Sequence, residues 1–138
     1  MTARNELKHW ITWQTYHRLR GQLRVLLRSD VHGADYHIRS VYFDTPQWDS
    51  CFEKYSGLEK RNKYRMRFYN HQDTVIKLEI KSRIGNKIKK TVASINRQQA
   101  EDVLHGKKIV DPPQAAVPFL SAVRNLNLRP VVVVDYVF

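Results

Sequence analysis

Apolar and polar residues alternate with a period of two through the middle of this chain, the signature of half-buried β-strands. In Lys63–Tyr69, Lys63, Arg65 and Arg67 fall on one side and Tyr64, Met66 and Phe68 on the other. Val75–Ser82 repeats the pattern, with Lys77, Glu79 and Lys81 opposed to Ile76, Leu78 and Ile80. Gly85-Asn86 then offers a tight hairpin turn, and Lys87–Ile95 is the return strand. His37–Phe43 is β-branched and aromatic, and Asp44-Thr45-Pro46 stops it. Arg4–Ile11 alternates as an N-terminal strand, with Arg4, Glu6 and Lys8 on one side. Pro130–Tyr136, with four consecutive valines, reads as a strand buried on both faces.

Between these strands the spacing becomes helical. Thr12 is placed to cap a helix over Gln14–Leu27, in which Tyr16, Leu19, Leu23, Leu26 and Leu27 form an apolar stripe and Arg18, Arg20, Arg24 and Arg28 take the other face. Gln47–Tyr55 reads as a short helix, and Asn96 as the cap of a helix from Arg97 to about His105 that Gly106 ends. A last helix follows Pro112-Pro113, over Gln114–Asn125. Six strands, about four helices and short connections predict an α+β class with a largely antiparallel sheet.

Composition narrows the function. The 138 residues fit one domain over 1–138, and 42% hydrophobic residues exclude wholesale disorder. No apolar run approaches the roughly 20 residues of a membrane-spanning helix. The N-terminus is polar from the start, and Cys51 is the only cysteine, so a cytoplasmic, reducing setting is expected, with Cys51 a packed thiol. The six histidines lack cysteine or carboxylate neighbours at ligand spacing. The net charge of +11 implies a polyanionic partner.

The charges are not scattered. The polar faces of successive strands carry Lys8, Lys63, Arg65, Arg67, Lys77, Lys81, Lys87 and Lys89. Like charges side by side on adjacent strands repel, so such a face is costly unless an anion occupies it. The plainer reading is a solvated sheet face that happens to be basic. Nucleic-acid platforms interleave aromatics with their cations so that bases can stack, whereas Tyr64, Met66 and Phe68 lie opposite Arg65 and Arg67. The charged face holds carboxylates instead, Glu6 and Glu79. Either these bind a divalent cation that bridges to phosphate, or they neutralise neighbouring lysines. A phosphate chain is therefore preferred to nucleic acid, and a non-catalytic module for RNA or another polyanion is the alternative.

Four stretches at these positions, Arg4-Asn-Glu-Leu-Lys-His-Trp-Ile11, Ile38-Arg-Ser-Val-Tyr-Phe-Asp-Thr-Pro46, Lys63-Tyr-Arg-Met-Arg-Phe-Tyr69 and Leu78-Glu-Ile-Lys81, resemble in order and spacing the VTC domain. That domain is the polyphosphate polymerase module of the vacuolar transporter chaperone complex and its bacterial relatives, among the CYTH-like triphosphate tunnel metalloenzymes. The resemblance implies an antiparallel β tunnel with charges inside and helices packed outside, of which about six strands are present. It implies phosphate binding by Arg4, Lys8, Arg65, Arg67 and Lys81. It also implies a lysine on the return strand, at Lys89 or Lys90; alternation favours Lys89. Lys77 shares the face and joins that set. For Glu79, and for Glu6, it suggests a Mn²⁺ or Mg²⁺ site, and as partners polyphosphate, triphosphate or a nucleoside triphosphate. No catalytic residue is assigned. Ser40, Tyr42 and Asp44 are read as mainly structural. VTC domains are longer, so the domain is expected to be incomplete at its C-terminus. Its last strand would then be an open edge through which two copies could pair.

Overall fold

The structure, a computed structural model, describes residues 3–5, 7–29 and 36–137. Six strands form one antiparallel sheet: β1 (Arg4–Asn5), β2 (His37–Asp44), β3 (Lys60–Tyr69), β4 (Gln72–Ile84), β5 (Lys87–Ile95) and β6 (Arg129–Val137). Their spatial order is β1-β5-β4-β3-β2-β6. Helices α1 (Trp13–Leu26), α2 (Asp49–Tyr55), α3 (Arg97–Leu104) and α4 (Val117–Asn125) complete the α+β architecture, with a 3-10 turn at Gln114–Ala116 before α4. The sheet is open, with β1 and β6 at its two edges.

The hairpins set the register. Asn70 and His71 both have positive φ, 50° and 57°, as a two-residue turn that matches strand twist requires. Gly85 takes φ 57° in the next turn, where a side chain would be strained. Counting back from that turn pairs Lys81 with Lys90 and Glu79 with Val92. On β3, Arg65 lies opposite Glu79 and Met66 opposite Leu78. Because alternate residues face opposite sides, Arg65, Arg67 and Lys63 on β3 meet Glu79, Lys77 and Lys81 on β4 across one face.

The other side of the sheet is the core. Met66, Ile76, Leu78, Ala93 and Ile95 are buried there under Ala100 and Val103 of α3 and Phe119 of α4. Phe119 stands edge-on to Phe43 and Tyr64, with ring centroids 5.4 Å and 6.0 Å apart. The start of α3 is fixed by a capping box: Asn96 Oδ1 accepts from the Gln99 N–H at 2.9 Å, and Gln99 Oε1 accepts from the Asn96 N–H at 3.1 Å.

Three sequence expectations need correction. The N-terminal strand does not run to Ile11: among the described residues, only Arg4 and Asn5 pair, opposite Ile88 and Lys87. β5 begins at Lys87, so beyond Asn5 there is no backbone left to pair with. β6 is not buried on both faces; Val132 and Val133 are exposed, because among the described strands β6 has one neighbour, β2, and lies at the sheet's edge. Cys51 is exposed rather than packed.

Helix α1 starts as expected, with Thr12 Oγ1 accepting from the Thr15 N–H at 3.2 Å. It buries no residue, and Leu19, Leu23 and Leu26 of its apolar stripe stay exposed, while α3 and α4 do cover the sheet. None of the described helices is long and apolar enough to cross a membrane.

Candidate functional site

The polar face is organised in rows that run across the strands. Ser40, Arg67, Lys77 and Ser94 form one row, and Tyr42, Arg65, Glu79 and Val92 the next. Lys63, Lys81 and Lys90 form a third. Strand periodicity alone thus brings Arg65, Arg67, Lys77, Lys81 and Glu79 onto one surface, on the side of the sheet away from α3 and α4.

Glu79 is the centre of this surface. It is 1% exposed and accepts from Arg65 Nε at 2.5 Å and from Lys90 Nζ at 2.7 Å, with Arg67 Nε 3.9 Å away. Burial would raise the pKa of this carboxyl. The hydrogen bond from Lys90, the charge and hydrogen bond of Arg65 and the charge of Arg67 outweigh that and hold it below its ordinary value. Arg65 is affected in the complementary sense: burial opposes its charge, but Tyr42 and Glu79 raise its pKa.

Second contacts extend the group. Arg65 Nη1 approaches the Tyr42 hydroxyl at 3.5 Å, and Arg67 Nη1 the Tyr69 hydroxyl at 3.5 Å. Lys77 Nζ donates to Ser94 Oγ at 2.6 Å. Burial raises the Tyr42 phenol, yet the Arg65 hydrogen bond and the charges of Arg65, Lys63 and Arg67 leave its pKa lowered. Arg67 Nε and Ser40 Oγ are buried with no hydrogen-bond partner among the described residues. Buried polar atoms are normally satisfied, so these two mark a place where a ligand or water is wanted.

The sequence-predicted residues fall into three groups. Arg65, Arg67, Lys77, Lys81 and Glu79 share the polar face, and Arg4 joins it at the edge, opposite Ile88. Lys8 does not: it is exposed and lies beyond the last pair of β1. Glu6 lies outside the described residues. Lys89 is corrected to Lys90. Lys89 pairs with Ser82 on the opposite side, while Lys90 shares its side with Ile88 and Val92 and reaches Glu79. Alternation points to Lys89 only where a polar face excludes apolar residues, and this face contains two on β5. Counting from the Gly85-Asn86 turn would have identified Lys90. Tyr42, read from the sequence as mainly structural, touches Arg65.

The described residues do not form a site that fits a divalent cation. Both oxygens of Glu79 face cationic donors, and the described residues contain no group of three His, Cys, Asp or Glu side chains placed to hold a metal. Of the two readings of Glu79, the contacts match neutralisation of neighbouring cations. What the face can do chemically is hold an anion with oriented guanidinium and ammonium donors.

Comparison with known proteins agrees with this architecture. The family model of the VTC domain matches residues 3–137, so the chain belongs to the VTC domain family. The crystal structure of a protein provisionally assigned as an adenylate cyclase, from Bacillus halodurans, superposes with a TM-score of 0.57 at 16% sequence identity. The match covers 98% of this chain but 63% of that one, and it speaks for the fold. No curated protein matches the chain in sequence.

Removing the central carboxylate should expose its role. Glu79→Gln leaves Arg65 and Lys90 half-buried without their counter-charge, and a loss of about 3 kcal/mol is expected at pH 7. Because the folded pKa of Glu79 is depressed, its contribution is complete above the unfolded value near 4.3 and fades as pH falls through the folded value. Urea unfolding across pH should therefore show the gap between wild type and Glu79→Gln narrowing below about pH 4. A gap that stays constant into acid contradicts this role.

Proposed function

We propose that this member of the VTC domain family binds a chain of linked phosphates, polyphosphate, triphosphate or the triphosphate of a nucleotide, on the polar face of its sheet and transfers phosphoryl groups along it. The observation that carries the reading is the imbalance around Glu79. Among the described residues, one buried carboxylate serves Arg65, Arg67 and Lys90 together, with Lys77 on the same face. Phosphoryl transfer requires little covalent chemistry from a protein; it requires alignment of donor and acceptor phosphates and neutralisation of the spreading charge.

In this reading Glu79 orients the arginines. Its bond to Arg65 Nε, with Nη1 directed at Tyr42, leaves Nη2 of that guanidinium and the second Nη1 hydrogen for phosphate oxygens. Arg67, with its Nε unpartnered, offers a second fork. Lys77, Lys81 and Lys90 add charge along the rows, and Arg4 extends it to the sheet edge. Mg²⁺ or Mn²⁺ belongs with the phosphate oxygens of the substrate, not with Glu79. Membership of the VTC domain family supports a polyphosphate polymerase-type reaction as the form of that transfer. The basic face used for RNA instead is the outcome the binding test separates.

The free edge of β6 is proposed as the place where a second copy pairs. Val132, Val133 and Val137 are exposed along it, and an unpaired apolar edge is a template for another strand. Sedimentation at rising concentration should show a dimer that Val133→Lys shifts back to monomer; a clean monomer throughout rules the pairing out.

Binding is tested by calorimetry with tripolyphosphate in one buffer. Arg65→Ala and Arg67→Ala should each weaken binding by about 1.5–3 kcal/mol, the usual worth of a hydrogen bond to a charged group. Arg65→Lys should restore part of the loss, because an ammonium keeps the charge without the fork. Arg20→Ala on α1 should change little. Equal losses from Arg20→Ala and Arg65→Ala would mean diffuse attraction, and tighter binding of RNA than of tripolyphosphate would favour the nucleic-acid module.

A further inference from the structure

The polar face does not end at Arg65. Beyond it, between β2, β3 and α2, lies a cavity of about 150 Å³ whose lining includes Tyr42, Asp44, Ser50, Cys51, Lys54 and Lys63. Lys63 comes from β3 and Lys54 from α2, so the two ammonium groups approach from different elements. Among the described residues, no carboxylate lies within ion-pair distance of either one.

Burial lowers the pKa of Lys63 and the charge of Lys54 lowers it further; Tyr42 pulls the other way, and Arg61 and Lys81 add smaller lowering contributions. Lys54 and Lys63, with no carboxylate in ion-pair reach among the described residues, repel one another in this half-enclosed space unless an anion joins them. The one carboxylate lining the cavity is already engaged. Asp44 Oδ1 accepts from the N–H groups of Thr45 at 2.8 Å and Ser50 at 2.9 Å, and Oδ2 from that of Cys51 at 3.2 Å. The Tyr42 oxygen is approached by Arg65 Nη1, which leaves its own proton to donate into the cavity.

We propose that Lys54 and Lys63, with the Tyr42 hydroxyl, form a second anion site that takes a free inorganic oxyanion of pyrophosphate size. It is distinct from the Arg65, Arg67 and Lys90 group and goes beyond the phosphate-chain reading. Tyr42 touches both, so an anion bound here sits beside whatever Arg65 holds.

Cys51 provides the readout. It is the only cysteine in the chain, it is exposed, and it lines this cavity. Alkylation of Cys51 by neutral iodoacetamide is therefore followed with increasing inorganic pyrophosphate, each variant compared with itself without the anion. Pyrophosphate is expected to slow alkylation of the wild type. Lys54→Gln and Lys63→Gln should each raise the half-protecting concentration about tenfold or more, the effect of losing one charged hydrogen bond. Arg67→Ala, outside the cavity, should shift it by less than about twofold. Lys54 is exposed, so Lys54→Gln keeps the test intact even if Lys63→Gln fails to fold. Alkylation indifferent to pyrophosphate, or protection that survives Lys54→Gln, overturns the proposal. Either result leaves the tripolyphosphate titrations of Arg65 and Arg67 as they were.

Discussion

The carboxylate of Glu79 is the constraint on which this face depends. A carboxylate that is 1% exposed is tolerable only when its charge is met, and here Arg65 and Lys90 meet it directly while Arg67 stands close by. The same contacts work in the other direction. Two arginines two residues apart on β3, with lysines across from them on β4 and β5, would repel on a bare sheet. Glu79 holds them together without neutralising them all. The surplus positive charge is then fixed in place, oriented, and available to an incoming anion.

That arrangement rests on the opposite face of the same strands. Met66 and Leu78 sit one residue from Arg65, Arg67 and Glu79, and are buried against α3 and α4. Core packing on one side therefore fixes the register that delivers the charges on the other. A slip of one residue would bury the arginines and expose the core, so the fold and the site are specified by a single alternation. The unbalanced cations are a local cost that the packed core supports, a common condition of binding sites.

Much of this was legible in the sequence because it depends on period and turn chemistry. The alternation of Lys63–Tyr69 and Val75–Ser82 and the Gly85-Asn86 turn were sufficient to place Arg65, Arg67, Lys77, Lys81 and Glu79 on one face. The Asn96 cap was readable for the same reason, since it is local. What alternation could not give was the identity of the third cation, because Ile88 and Val92 share the polar face with Lys90 and disguise it. Nor could it show where partners run out. Leu7–Ile11 alternates like a strand but has no strand beside it once β5 begins. The valines of β6 read as buried, yet burial depends on a second neighbour that β6 lacks. The stripe along α1 has the right period and covers nothing in the sheet. Each miss concerns what an element packs against, which one sequence does not encode locally. The role of Glu79 was left open for a related reason: a carboxylate beside lysines looks alike whether it waits for a metal or for an arginine, and only the contacts of its two oxygens separate the cases.

The central claim is that Glu79 aligns Arg65, Arg67 and Lys90 to receive phosphate oxygens. A crystal structure of the chain grown with tripolyphosphate tests it most directly. The account predicts phosphate density on the polar face, within hydrogen-bond distance of the Arg65 and Arg67 guanidinium groups and of Lys90, with the Glu79–Arg65 contact still in place. Phosphate density confined to the arginines of α1, or a Glu79 side chain released from Arg65 to bind elsewhere, would contradict it.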